Sequence, residues 1–370
     1  MEATIGGTRR HLVDVARGQM QRGLEVHLAV ATTRDPDFSP DLLELEREGA
    51  RVTRLAMVRE IRPGRDVGDW RRLAQLMKRA QPDIVHTHSS KAGVLGRVAS
   101  LSTGIGRRVH TPHTFAFLFE ALFGAGKRRL FRTVETFLAR RTDRIIAVSP
   151  TEAETFEASG VVPPGRIRVV PNGIDPARFA DLAALDFGAL GLDPARPTAA
   201  VIGLVYPAKG QDLALEVLAR SGCEDLQLLV VGPGDAGLLE AQAHRLGVDS
   251  RVRFLGPRRD VPAILAGLDF LILPSRWEGM PYIVLEAMAS GVPVVATPVD
   301  GARDLLVDGE SGFVAEAITA EALHGSVRRM LALAPDARKA LGARGRARLT
   351  DTYSIDRMVS GLLDVYAELA

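Results

Sequence analysis

Pro274-Ser-Arg-Trp-Glu-Gly-Met-Pro-Tyr-Ile-Val-Leu-Glu-Ala-Met-Ala-Ser-Gly-Val-Pro293 is the stretch from which the fold can be read. The apolar run before it, Phe270 to Leu273, reads as a buried strand that ends at Pro274. Pro281 suits the first position of a helix, so the segment reads as strand, loop and helix. Glu278 then precedes the helix and Glu286 lies inside it, with seven residues between them. The first turn of a helix leaves backbone N–H groups unpaired and partly positive, so an anionic group such as a diphosphate can dock there. One carboxylate can face the sugar end of such a ligand while the other accepts hydrogen bonds from a diol. Two surface acids on an ordinary strand-loop-helix would leave the same letters.

Outward from this block, short apolar runs alternate with amphipathic segments. In the first half the runs are Glu25 to Ala31, Val52 to Met57, Asp83 to Thr87, Arg108 to Thr111, Arg144 to Val148 and Ile167 to Val170. In the second half they are Ala199 to Gly203, Leu226 to Val231, Val252 to Leu255, Phe270 to Leu273 and Val292 to Ala296. A βα alternation of this kind predicts parallel sheets with helices on both faces, an α/β fold. Pro171-Asn-Gly173 and the Ala/Asp-rich stretch to Pro197 interrupt it, which places a domain junction there. The expected domains are 1–172 and 173–353, each a Rossmann-like parallel-sheet unit, followed by a closing helix in 354–370. Neither an internal repeat nor a low-complexity tract is visible.

The 370 residues exceed the usual single domain, and 46% hydrophobic with 25% charged content suits globular cores. No apolar stretch reaches about 18 residues and no secretory leader is visible, so the expected location is the cytoplasm. The single cysteine, Cys223, rules out an internal disulfide and fits a reducing compartment. Net charge is only +2 but unevenly placed: residues 1–171 hold 28 Lys and Arg against 19 Asp and Glu, and residues 172–370 hold 19 against 26. The first half is therefore nine positive and the second seven negative, so the first half invites an anionic neighbour.

Several segments carry candidate chemistry. Gly6-Gly7 opens the predicted helix Arg9 to Arg22 and lets a ligand approach the backbone, although a plain tight turn needs the same glycines. Such a turn normally follows a strand, and no apolar run precedes it. The expectation is that Met1 is an internal methionine and that an opening strand is encoded upstream. His113, in Val109-His-Thr-Pro-His-Thr114, follows a strand at its carboxyl end, where open α/β sheets place ligands; a structural histidine is the alternative. His110 competes with it and is expected to point along the strand. His88-Ser89-Ser90-Lys91 ends another strand and starts a helix, a phosphate cradle or a capped helix with a solvated lysine. Lys209 follows the first strand of the second half, where a lysine can neutralise a diphosphate or simply face solvent. Asp35-Pro-Asp37 is the sole Asp-x-Asp and reads as a turn, so no metal site is expected. Phe115, Phe117, Leu118, Phe119, Leu122 and Phe123 run into Lys127-Arg-Arg129, Arg132, Arg140 and Arg141, which suits an anionic membrane surface or a buried helix with a solvated face.

Taken in order and spacing, Gly6-Gly7, Asp83-Ile-Val-His-Thr-His88, Thr111-Pro-His113, Asp143 to Ser149, Val170-Pro-Asn-Gly-Ile-Asp175, Lys209-Gly210, Val231-Gly-Pro-Gly-Asp235, Val252 to Gly256 and the two-glutamate block resemble the retaining glycosyltransferases of family 4. The resemblance covers nearly the whole chain. It implies the GT-B fold, two Rossmann-like domains facing a cleft with a C-terminal helix crossing back to the first, and a nucleotide diphosphate sugar as donor with no other cofactor. Ser89-Ser-Lys-Ala-Gly93 is similar to members that assemble bacterial surface polysaccharides, which implies a lipid-linked or saccharide acceptor and a place at the inner face of the membrane. No nucleic-acid partner is implied.

By resemblance Glu278 contacts the donor sugar, Glu286 the ribose hydroxyls, Lys209 the diphosphate and His113 the sugar from the acceptor-side domain. Gly6, Gly7, Gly279, Met280, Pro281 and Tyr282 complete the donor-binding set, and His88, Ser89, Ser90 and Lys91 are the acceptor-side candidates. One position departs from the family: an arginine usually follows the glycine at 203, and here it is Leu204. Loss of a bidentate phosphate contact costs about 2 to 4 kcal/mol at the transition state, unless Arg258, Arg259 or Arg276 takes its place. Two rival readings share the architecture, a nucleotide-sugar 2-epimerase and a binding protein with an impaired donor site.

Overall fold

The computed structural model describes residues 6–32, 38–58, 60–120, 122–180 and 182–369. The segment ahead of Gly6 and the Asp35-Pro-Asp37 turn lie outside the described residues. The chain divides into two units, one of Met1–Asn172 with Ile355–Ala370 and one of Gly173–Ser354.

The first unit carries β1 (His27–Ala31), β2 (Arg51–Leu55), β3 (Ile84–His88), β4 (Arg107–Thr111), β5 (Arg144–Ala147) and β6 (Ile167–Val169). All pairings are parallel, and they form two sheets, β1-β2 and β3-β4-β5-β6. Helix Gly7–Gln21 buries Leu12, Val15 and Ala16, and its His11 and Asp14 are buried as well. The C-terminal helix Ile355–Ala367 returns to this unit. It meets the first helix so closely that a Cβ on Gly18 would sit 2.5 Å from Val359 Cγ2, and Arg22 pairs with Asp356 at 2.5 Å.

The second unit carries β7 (Thr198–Ile202), β8 (Gln227–Val231), β9 (Val252–Gly256), β10 (Phe270–Leu273), β11 (Val294–Ala296) and β12 (Gly312–Val314). They make one six-stranded parallel sheet in the order β12-β11-β10-β7-β8-β9. β8 and β10 are buried along their full length, as expected of strands covered on both faces. The two units with their parallel sheets are the α/β architecture expected from the βα alternation. All eleven apolar runs lie on strands, with ends displaced by one or two residues. The twelfth, Gly312–Val314, is three residues long and too short to show periodicity. Its neighbour β11 supplies the register.

Candidate active site

The six-stranded sheet reverses its order between β7 and β10: the chain leaves β7 toward β8 and β9, then crosses back to β10 and continues to β11 and β12. In open α/β sheets the carboxyl ends of strands flanking such a reversal form the crevice that binds ligands. Lys209 follows β7 on the short helix Pro207–Lys209, and Glu278 follows β10 in the loop before helix Tyr282–Ala289. The two candidates, 69 residues apart, meet there: Lys209 Nζ donates to Glu278 Oε1 at 2.7 Å, and Ser275 Oγ donates to the same oxygen at 2.7 Å. The glutamate side chain is 11% exposed and the lysine 31%, so the pair lies at the rim of solvent.

Backbone fit is tight around the pair. Gly210 has φ +65°, and a Cβ there would lie 2.0 Å from the carbonyl oxygen of Pro274. Gly301, after β11, has φ +71°, and a Cβ there would come within 2.5 Å of Gly279 and Met280. Glycine is therefore needed where the loops after β7 and β11 press on the loop that holds Glu278. The helix begins at Tyr282 rather than Pro281, which is its N-cap with an extended ψ of 115°. A proline at the cap presets the turn, and the helical N–H groups then start at Tyr282. Glu286 sits one turn into the helix, on the row that starts at Tyr282.

Two of the three arginines offered in place of the family's residue at 204 are already engaged. Arg276 forks Asp212 at 2.8 and 2.6 Å and donates to the Pro207 carbonyl at 2.7 Å. Arg258 forks Asp260 at 2.7 and 2.5 Å. Arg276 thus braces the Lys209 loop from the side.

In the first unit the sequence candidates separate. His88 ends β3, His113 follows β4, and His88 Nδ1 lies 3.3 Å from His113 Nε2. Ser89, His113 and Thr114 have positive φ of 63°, 52° and 77°. Left-handed backbone at non-glycine residues costs about 1 to 3 kcal/mol each and collects at functional sites. The buried carboxylate of Glu152 holds this turn: Oε1 accepts from the Thr114 N–H at 2.8 Å and Oε2 from the Val148 N–H at 2.7 Å. Glu152 was missed in the sequence, yet Ser149-Pro-Thr-Glu152 is a capping-box spacing, and Ser149 Oγ does accept from the Glu152 N–H at 3.1 Å. Gly6 caps helix Gly7–Gln21 with φ 90° and ψ −134°, and a Cβ there would meet nothing within 4 Å. The same helix brings in His11, a histidine with no local sequence signal.

Lys91, expected at the acceptor side, is engaged within its own unit. Its Nζ donates to the carbonyls of Val58 at 2.7 Å and Glu60 at 2.6 Å and pairs with Asp66 of helix Pro63–Ala80 at 2.6 Å, so it ties the loop after β2 and the next helix to its own. His110 is fully buried with Nδ1 2.9 Å from Thr87 Oγ1, a structural role. Phe115 and Phe117 are core residues beside Phe156, and the exposed apolar residues of that region are instead Leu130 and Phe137. They lie on helix Ala125–Ala139, which also carries Lys127, Arg128 and Arg129.

Charge is kept out of the histidine cluster. Loss of solvent around the ring is the main cause in every case: it lowers His11 to about 4 and His86 to about 3, and holds His88, His110 and His113 well below the ordinary imidazole value. At neutral pH these rings are uncharged.

Two units built on parallel sheets, with a lysine and a glutamate joined at the order reversal of the second and a C-terminal helix returned to the first, define a GT-B protein. The profile described as Glycosyltransferase Family 4 matches residues 5–178, and that of Glycosyl transferases group 1 matches residues 196–332. The chain belongs to glycosyltransferase family 4. It is 33% identical over 253 residues to the UDP-Gal:alpha-D-GlcNAc-diphosphoundecaprenol alpha-1,3-galactosyltransferase of Escherichia coli, an alignment covering 66% of this chain and 65% of that enzyme. It is also 33% identical over 311 residues to a D-inositol 3-phosphate glycosyltransferase of Salinispora arenicola (strain CNS-205), covering 77% of this chain and 68% of the relative. The chain thus spans about two-thirds of the length of these relatives. The solved structure of Anabaena Alr3699/HepE in complex with UDP-glucose superposes with a TM-score of 0.81 at 22% identity, covering 99% of this chain and 97% of that one, a likeness of fold.

Proposed function

We propose that this protein moves a sugar from a nucleotide diphosphate donor to a hydroxyl acceptor, retaining the anomeric configuration and needing no metal ion. The observation that carries this reading is the Lys209–Glu278 pair at the order reversal of the six-stranded sheet, ahead of the helix that bears Glu286. Departure of the diphosphate builds negative charge on its oxygens, and Lys209 with the amides from Gly279 to Tyr282 offsets it. A partly exposed ion pair is worth about 0 to 1 kcal/mol, so an arriving diphosphate exchanges for the carboxylate on Lys209 at small cost. Glu278 is then released toward the sugar, while Glu286 holds the ribose diol. The acceptor attacks from the leaving-group side and a phosphate oxygen takes its proton, so neither glutamate acts as a covalent nucleophile.

For the first unit the reading assigns His113 and the His88-Ser89-Ser90 turn to the acceptor side. A lipid-linked diphosphate acceptor at the inner face of an anionic membrane is supported by the diphosphoundecaprenol-linked substrate of the Escherichia coli relative and by the charge surplus of residues 1–171. The exposed Leu130 and Phe137 among the basic residues of helix Ala125–Ala139 add to it. Among the described residues no helix is long and apolar enough to cross a membrane, so attachment would be peripheral.

The test is product analysis with a panel of nucleotide sugars and lipid-linked acceptors, the donor chosen by its protection against thermal unfolding. A new glycosidic bond of the donor's anomeric configuration is the expected product. Epimerised or free sugar without acceptor turnover would instead identify a 2-epimerase. Donor protection without any turnover would identify a binding protein, the reading that Leu204 favours.

A further inference from the structure

Three histidines from three different elements of the first unit converge. His11 stands on helix Gly7–Gln21, His88 ends β3 and His113 follows β4, and one ring nitrogen from each lies within 4.8 Å of the others. His88 Nδ1 and His113 Nε2 are 3.3 Å apart. Two imidazoles bound to zinc at about 2.0–2.1 Å and at the tetrahedral angle hold their nitrogens about 3.3–3.4 Å apart. The observed spacing therefore matches a shared ion.

His11 supplies an independent observation. Its Nδ1 lies 2.9 Å from Asn172 Oδ1. An amide oxygen can only accept, so the proton sits on Nδ1 and the Nε2 lone pair is free. The residue is 1% exposed, and Nε2 has no hydrogen-bond partner among the described residues. A metal-binding histidine is usually held in this way, its far N–H bonded to an oxygen that fixes the tautomer and orients the ring. His86, stacked on His88, does not join the set: its Nδ1 is 2.6 Å from Tyr366 Oη and its Nε2 2.8 Å from Thr111 Oγ1. It acts as a wall that orients His88.

We propose that His11, His88 and His113 form a binding site for a divalent late first-row transition ion, typified by zinc, with the fourth position open. Three neutral imidazoles suit zinc, copper or nickel rather than magnesium or calcium, which take oxygen ligands. Because the set brings no negative charge, the open position favours an anion such as hydroxide. If the transferase reading above holds, a bound ion would occupy His113 and inhibit transfer; the binding proposal itself stands without that reading.

The experiment uses the full chain without a histidine tag, freed of metal and titrated with zinc by calorimetry. One saturable site of micromolar or tighter affinity is expected, with visible absorption of tetrahedral form when cobalt replaces zinc. X-ray absorption of the zinc-loaded wild type should find three imidazole nitrogens at about 2.0–2.1 Å, a readout that needs no variant. His11→Ala and His88→Ala should abolish binding, Asn172→Ala should weaken it about 10- to 100-fold, and His244→Ala should leave it unchanged. Absence of one-site binding, fewer than three imidazoles around the ion, or undiminished binding in folded His11→Ala would overturn the proposal. Zinc inhibition of transfer is read separately, so a protein that binds zinc but transfers no sugar refutes only the transferase reading.

Discussion

At the order reversal of the second unit a lysine and a glutamate meet as an ion pair at 2.7 Å beside solvent, whereas in the first unit five histidines are held uncharged within it. Both arrangements place polar side chains at the carboxyl ends of parallel strands. They differ in what surrounds the groups. Lys209 and Glu278 keep each other and some access to water. The histidines lie among one another, and a proton on one ring would repel a proton on the next, so desolvation and mutual repulsion act in the same direction. On the proposed reading one unit exchanges a charge for an anionic ligand, and the other presents lone pairs and neutral N–H groups.

Acid should separate the units most sharply. An unfolded histidine takes a proton near its ordinary value of 6.5, while folded His11 and His86 resist until about 4 and about 3. The unfolded state therefore binds more protons across that window, and stability rises with pH through it and is lost as pH falls. Each such histidine contributes up to about 1.4 kcal/mol per pH unit. Hydrogen exchange between pH 6.5 and 4 should show protection of β3 and β4 falling before that of β7 and β10. The reverse order would break the contrast.

Next in size is the loss of a single carboxylate. Glu278→Ala should lower kcat about 10²- to 10³-fold, the usual effect of removing one charge-stabilising group, whereas Glu286→Ala should mainly raise the donor KM. Wild-type kinetics in both variants would sink the assignment of the second unit. The charge surplus of the first unit predicts a smaller effect. Each basic residue near an anionic bilayer is worth about 1 kcal/mol, so reversing Lys127, Arg128 and Arg129 to glutamate should weaken sedimentation with anionic vesicles by at least about a hundredfold. Failure of the wild type to sediment at low salt would remove the membrane from the reading and favour a small soluble acceptor. The smallest expected effect is none: transfer should survive excess chelator. Abolition by chelator with rescue by magnesium or manganese would mean that the diphosphate is met by a metal rather than by Lys209.

Local sequence was enough for the strands and for the position of Glu278 ahead of a helix and Glu286 within it, because apolar runs bounded by proline and glycine are signals read over a few residues. It was enough for the family too, since glycines such as Gly210 stand where backbones touch and only glycine fits. The partners of those residues depended on tertiary structure. Lys209 reaches Glu278 across 69 residues because the sheet order sets β7 beside β10, and His11 reaches Asn172 across 161 residues because the first helix and the chain after β6 meet in one unit. Likewise, nothing adjacent in sequence marks Lys91 as a tether to Asp66 or Phe115 as core, since burial is decided by what packs on a residue from distant parts of the chain.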